Sequence, residues 1–330
     1  MIYKNDFDGN LVYGGAKFHK QTKRDKIIVD KKFPHYEFVE LQNCRYEPKE
    51  EFFEKLDKCP LCDCNDIEFK LYKDGLYIYE CNKCKFGFQN PRFKAKYLSL
   101  LYGKEYSLNG AYISSPQQKL DEIKYKYAIE QLEKFSLDKE SVLDIGAGNL
   151  HFLKVCKETG FKKLIGIEPG STLNNLSSEY EIMTEFHEEI NFKDISLISM
   201  WDTLEHIHNF KLIVKSIFNS LKKGGLFIVM VPNFYSLATR LIRSDSPTFC
   251  IYHLNYFTQY SLTKLLEDSG FEVLKKESVI SEIDNCRNYL EFQEPYMSIP
   301  KNETAFSWLT PEYIHKNLLG SRLLFIARKG

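Results

Sequence analysis

Residues 141–152 read S-V-L-D-I-G-A-G-N-L-H-F, and this stretch restricts the fold more than any other. Val142, Leu143 and Ile145 form an apolar run of strand type, interrupted by Asp144. Gly146 and Gly148 follow with Ala147 between them, and Asn149 ends the small-residue run. The period then changes: Leu150, Leu153 and Cys156 recur at helical spacing, and Gly160 can end the helix. A strand, a turn of small residues and a helix are what a nucleoside cofactor needs, because side chains at the turn would block its approach to the backbone. Where a dinucleotide fingerprint would place its third glycine stands His151, so a pyrophosphate finds no glycine nest. Asp144, ahead of the first glycine, suits a ligand bearing positive charge. A second strand over 164–167 ends at Glu168-Pro169, and an acid at that point commonly takes both ribose hydroxyls.

The pattern V-L-D-I-G-A-G followed by G-I-E resembles the first two motifs of class I methyltransferases that use S-adenosylmethionine, a family with glycine where this chain has Leu150. Further along, residues 197–200 read as a buried strand, the fourth, after a short third strand over 181–184. Strands one and four flank the point where chain order reverses in a doubly wound sheet, and ligands sit at that crevice. The run W-D-T-L-E-H (201–206) resembles the family's fourth motif, and L-K-K-G-G-L-F-I-V-M-V-P-N (221–233) matches the family as well. The resemblance implies an α/β Rossmann-like methyltransferase sheet of seven strands with the last antiparallel. It implies that Asp144, Gly146, Ala147, Gly148, Asn149, Glu168 and Pro169 line the donor pocket from one side and Met200, Trp201 and Asp202 from the other. The product would be S-adenosylhomocysteine.

Earlier in the chain, C-P-L-C (Cys59, Cys62) is followed by C-N-K-C (Cys81, Cys84). This spacing fits two zinc knuckles whose four thiolates close a tetrahedron, with a hairpin between them turning at Asp74-Gly75. Cys64 competes with Cys62 as a ligand. Four thiolates leave no open position, so the zinc is expected to be structural. The segment from Cys59 through Tyr106 resembles the zinc-binding domain that precedes the methyltransferase domain in bacterial deoxysugar C-methyltransferases and related O-methyltransferases. The resemblance implies that Tyr102 and Tyr106 lie near the cofactor mouth. Three parts follow: 1–50 without assigned role, 51–110 as a small zinc-ribbon-like domain, and 111–330 as the methyltransferase domain. In the last, a helix over 115–135 joins the two folded parts, and residues 281–318 are a candidate lid.

Charge and composition bear on partners. The 330 residues hold 45 Lys plus Arg against 45 Asp plus Glu, which exerts no pull toward nucleic acid or anionic membrane. Hydrophobic residues at 43% allow a sizeable core. The longest apolar run, 226–231, is too short to span a bilayer, and the first residues lack a signal-peptide layout. Nine cysteines, four of them in C-x-x-C pairs, fit a reducing cytoplasm.

For catalysis, a hydroxyl acceptor attacks a sulfonium methyl poorly until its proton is being removed, and a histidine titrates near the required pH. His206 is the first candidate base. Tyr252 and His253, in the aromatic stretch I-Y-H-L-N-Y-F-T, compete with it, since the family resemblance implies a Tyr and His at the acceptor. An Asp-Glu-His divalent-metal site within W-D-T-L-E-H is a further alternative, suggested by quinone-precursor O-methyltransferases. The acceptor implied by the resemblance is a small carbohydrate or nucleotide-linked sugar. Two other readings stay open: an RNA methyltransferase whose zinc ribbon grips RNA, and a non-enzymatic binding protein with a decayed cofactor site.

Overall fold

The computed structural model describes residues 38–41, 45–48, 50–73, 75–97, 115–169, 179–184, 189–290 and 307–330. Tyr102, Tyr106, residues 1–37 and part of the candidate lid lie outside them. Strands β1 (Phe38–Leu41) and β2 (Arg45–Pro48) pair antiparallel with each other. They are followed by β3 (Phe53–Glu54), the hairpin of β4 (Ile67–Lys73) and β5 (Leu76–Cys81), then β6 (Gly87–Gln89) and β7 (Arg92–Phe93). The hairpin falls where the turn at 74–75 was expected, and Gly75 takes the φ of +90° that this tight reversal demands.

Helix α1 (Ser115–Glu133) buries Leu120, Tyr127, Ala128 and Leu132 against the main sheet. Then come β8 (Ser141–Ile145), α2 (His151–Glu158), β9 (Lys163–Ile167), β10 (Glu181–Met183) and β11 (Ile195–Trp201). The chain continues with α3 (Phe210–Ser220), β12 (Leu221–Pro232), α4 (Leu237–Ile242), β13 (Asn255–Tyr256), α5 (Gln259–Asp268) and β14 (Phe271–Val279). It closes with α6 (Ile283–Leu290), α7 (Pro311–Lys316) and β15 (Arg322–Lys329).

The main sheet has seven strands in the order β10-β9-β8-β11-β12-β15-β14, and β15 runs antiparallel between β12 and β14. This is the α/β methyltransferase arrangement with a late antiparallel return. Strands β8 and β11 are buried along their whole length, as continuous apolar runs between two helical layers require. They lie side by side at the centre, with Asp144 opposite Ser199.

One local expectation fails. The helical spacing of Ile213, Val214, Ile217, Phe218 and Leu221 predicts a helix over 211–223 stopped by Gly224-Gly225, but α3 ends at Ser220 and the glycine pair lies inside β12. Leu221 turns extended (φ −71°, ψ 145°) to pair with Ile195, and the next partners are Leu197 and Leu226. The intervening residues bulge out, with Gly224 at φ +76°. Burial of Leu221 in the core outweighs the helix propensity of the two lysines that follow.

The cysteine-bearing region does not stop at its own boundary. Its sheet runs β13-β6-β5-β4, so a strand from residues 255–256 completes it. Asn255 pairs with Phe88 and Tyr256 with Gly87. A Cβ on Gly87 would sit 2.8 Å from the Phe234 ring and 2.9 Å from Tyr256 Cβ, so only glycine allows this approach. The fully buried Gln89 donates from Nε2 to the carbonyls of Cys250 (2.8 Å) and His253 (2.7 Å), and its own N–H donates to the Leu254 carbonyl (3.0 Å). Replacing Gln89 by Leu would strand two buried carbonyls and is expected to lower stability by roughly 2–3 kcal/mol, read as a lower denaturant midpoint at unchanged slope.

Candidate active site

The bend after β8 is built as its small residues dictate. Gly146 adopts φ +77°, and a Cβ there would meet Thr203 Oγ1 at 2.2 Å, so the loop after β11 packs directly onto its backbone. Gly148 adopts φ +51° with nothing within 4 Å of where its Cβ would stand. That face of the bend is open to a ligand. Leu150 keeps a left-handed conformation (φ 62°, ψ 16°) ahead of α2. A glycine would adopt it without strain; for leucine it costs about 1–2 kcal/mol, and burial of the side chain to 4% exposure offsets that cost. The bend therefore survives the absence of glycine at this position.

Acids ring the bend. Gly148 N–H donates to Glu168 Oε2 (2.7 Å), which ties the tip of β9 to the tip of β8. Pro169 follows, exposed, and Asn149 Oδ1 accepts from His151 N–H (3.3 Å). Asp144 is buried, and Ser199 Oγ donates to its Oδ1 (2.7 Å). Burial raises its pKa to about 7; the Ser199 hydrogen bond works against that rise and the nearby Glu168 charge adds to it. Ala147 is buried against Gly166. Met200 packs into the core on one side of the sheet. Trp201, on the other, forms a three-ring group with Tyr125 and Phe152, ring centroids 4.9 and 5.0 Å from its own. Lys124, buried and paired with Asp121 (2.9 Å), lies over the Tyr125 and Trp201 rings.

The chain beyond β11 makes the other half. Asp202 has φ +46° and forms an ion pair with Arg322, whose Nε is 2.6 Å from Asp202 Oδ1, off the direction of an in-line hydrogen bond. Burial works against the Arg322 charge, but Asp202, Glu282 and Glu205 outweigh it and raise its pKa. A 3-10 turn, Leu204–His206, places Glu205 and His206. Asn255 holds that turn from β13: its Nδ2 donates to the Ile207 carbonyl (2.7 Å), and Leu254 N–H donates to the Glu205 carbonyl (2.9 Å).

These contacts bring His206 and His253 together, ring centroids 4.8 Å apart and nearly perpendicular. His206 Nδ1 lies 2.9 Å from the Tyr252 carbonyl and His253 Nδ1 lies 2.8 Å from the Thr248 carbonyl. Burial lowers the pKa of both imidazoles, His253 furthest because His206 faces it; carbonyls of Tyr252 and Asp202 partly offset the shift at His206. Both are neutral near pH 7. Burial, with the charge of Asp202, pushes Glu205 well above the usual carboxylate range. Tyr252 contributes its backbone carbonyl, while its ring packs among Phe52, Phe249 and Leu254. His208 is half-buried, with Nε2 2.9 Å from Glu54 Oε1.

Away from this edge, Cys59, Cys62, Cys81 and Cys84 converge, all four sulfurs within 4.8 Å of one another. Cys59 lies 3.5 Å from Cys84, and Cys62 lies 3.6 Å from Cys81. Cys64 is not among them; its sulfur accepts from Asp66 N–H. The Cys84 hydrogen bond lowers the Cys59 thiol to about 6, while Cys84 itself is driven up by the same bond and by burial.

Residues 120–276 match a family model described as a methyltransferase domain. These residues are a methyltransferase domain, and the protein is a methyltransferase. No curated protein matches the sequence significantly. Solved structures with a similar fold include S-adenosylmethionine-dependent methyltransferases from Archaeoglobus fulgidus (20% identity, 64% of this chain and 94% of that one, TM-score 0.45) and Thermotoga maritima (19%, 63% and 89%, 0.44). Another comes from Clostridium acetobutylicum (13%, 62% and 90%, 0.42). Among the described residues, this methyltransferase has no helix long and apolar enough to cross a membrane.

Arg322, Asn255, Gln89 and Thr203 shape the site without having been legible in the sequence. Each acts across the fold on a partner far away in the chain, and no local period marks them.

Asp144 gives a pH test. With its folded-state pKa raised to about 7, the folded chain holds a proton that the unfolded chain gives up near pH 4. Its contribution to the stability of the ligand-free enzyme therefore falls as pH rises from about 4 to about 7 and is then level. Melting temperatures of wild type and Asp144→Asn across this range should diverge, with the variant gaining relative stability toward high pH.

Proposed function

We propose that this methyltransferase moves a methyl group from S-adenosylmethionine to a hydroxyl of a small carbohydrate, such as a nucleotide-linked sugar. The observation that carries this reading is the pair of neutral, half-buried imidazoles beside Glu205, on the same sheet edge as the open bend at Gly148. Asp144, Gly146, Ala147, Gly148, Asn149, Glu168 and Pro169 would hold the donor from the β8–β9 side, with Met200, Trp201 and Asp202 from the β11 side. The backbone fits such a ligand, since Gly148 leaves room and Glu168 stands at the strand tip where a ribose would present its hydroxyls. Bound there, the donor supplies an electrophilic methyl on a sulfonium.

The chain's own residues then do two things. They align the reactants, which the Asn255 and Gln89 hydrogen bonds serve by fixing the two acceptor-side segments. They also handle the acceptor's proton, which falls to the group formed by His206, His253 and Glu205, with the Tyr252 carbonyl orienting His206. The carbohydrate acceptor is supported by the resemblance of the cysteine-bearing segment to the one found in sugar methyltransferases.

Cys59, Cys62, Cys81 and Cys84 would hold a structural zinc. Zn–S bonds of ~2.3 Å put tetrahedral sulfurs about 3.8 Å apart, close to the 3.5 and 3.6 Å separations of the two sulfur pairs. Such an ion would stiffen β5 and β6 and, through β13, the segment bearing His253.

Incubating the enzyme and S-adenosylmethionine with a panel of sugar nucleotides should give one product in which a hydrogen is replaced by methyl. His206→Ala and His253→Ala should each lower that turnover by about 100-fold or more, with donor affinity in calorimetry unchanged; full turnover in both would remove them from the mechanism. Metal analysis should find one zinc per chain at the cysteines, and Cys81→Ser should lose it together with a marked drop in melting temperature.

A further inference from the structure

The acceptor-side group holds an electrostatic conflict that proton transfer alone does not resolve. Glu205 is 1% exposed, and neither of its carboxylate oxygens has a hydrogen-bond partner among the described residues. A buried carboxylate left this way is strongly disfavoured. Its Oε1 lies 3.9 Å from His206 Nε2 and 4.0 Å from His253 Nε2. Each imidazole has its Nδ1 against a backbone carbonyl, at 2.9 and 2.8 Å. A carbonyl only accepts, so Nδ1 carries the proton in both rings and Nε2 is the nitrogen turned toward Glu205. Two imidazole nitrogens and a carboxylate thus converge at distances too long for a shared proton.

We propose that Glu205, His206 and His253 bind a divalent first-row transition ion, distinct from any ion at the four cysteines, with open positions for two neighbouring oxygens of the acceptor. The three ligand atoms lie within 4.8 Å of one another. Bonds of ~2.1 Å from nitrogen and oxygen ligands place such atoms about 3.3 Å apart, so binding draws them inward by roughly half an ångström or more. Two histidines and one carboxylate suit zinc, iron, manganese or cobalt and leave coordination positions open, unlike four thiolates. The carbonyls behind both rings provide the outer support that metal-bound histidines require. Asn255 and Leu254 hold the turn carrying Glu205 and His206, and Gln89 holds the backbone at His253, so the ligands sit on fixed segments. Asp202 is not a ligand in this arrangement, because Arg322 occupies it. Vicinal hydroxyls of a sugar are the kind of oxygen pair such an ion chelates; with both Nε2 atoms on the ion, the two imidazoles would serve as ligands and the ion, in place of a free imidazole, would make the acceptor hydroxyl easier to deprotonate. This part of the inference rests on the carbohydrate reading; the ion site itself does not.

The test is a cobalt titration of the full chain with its cysteine site first saturated with zinc. Uptake of one Co2+ per chain is expected, with visible ligand-field bands and without the intense near-ultraviolet thiolate band. Glu205→Gln and His253→Ala should each weaken binding at least 10-fold while retaining one zinc and wild-type affinity for S-adenosylmethionine. If either variant fails to fold, His206→Asn takes its place under the same criteria. No uptake, uptake with the thiolate band alone, or equal affinity in the variants would overturn the site. A chain that binds Co2+ but methylates no sugar sinks the carbohydrate reading and leaves the ion site standing. A chain that methylates sugar but takes no ion does the reverse.

Discussion

The short pairing of β13 with β6 holds the candidate site in place. It is two residues long, Asn255 on Phe88 and Tyr256 on Gly87. From it, Asn255 reaches the turn that carries Glu205 and His206, and the neighbouring Gln89 secures the backbone on either side of Tyr252 and His253. Through these contacts the two histidines lie with ring centroids 4.8 Å apart. Buried side-chain-to-backbone hydrogen bonds of this kind are costly to leave half made, so they fix one arrangement rather than merely adding stability.

The two halves of the site are built by different means. The half around the bend after β8 is a matter of backbone: glycines at positive φ, a strand tip capped by an acid, and Thr203 packed where a Cβ would have stood. The half beyond β11 is a matter of side chains on short irregular segments, each pinned by a partner from another element. A rigid parallel sheet with variable loops at one edge permits this division, since the loops can change without disturbing the strands.

The same division explains what the sequence disclosed. The bend at 146–148, the strands around it and the four cysteines follow local rules, because apolar period, small residues and C-x-x-C spacing are properties of neighbouring residues. The β4–β5 hairpin was legible for the same reason. The ending of α3 was not, because a long-range pairing of Leu221 with Ile195 overrides local helix propensity. Nor were the roles of Gln89, Asn255 and Arg322, whose partners lie elsewhere in the chain. Glu205 was visible as an alternative metal ligand in W-D-T-L-E-H; its burial beside two imidazoles is a product of folding. Leu150 is the instructive exception, where a departure from glycine left the backbone path intact.

The order of strands β13-β6-β5-β4 also bears on how the chain comes together during synthesis. The cysteine hairpin leaves the ribosome early, yet its sheet lacks an outer neighbour until Tyr256 has emerged. Until then the edge of β6 is uncovered, and edge strands left open invite pairing with other chains. The cysteine hairpin is thus made well before its sheet is finished, and the loop bearing His253 is what closes it.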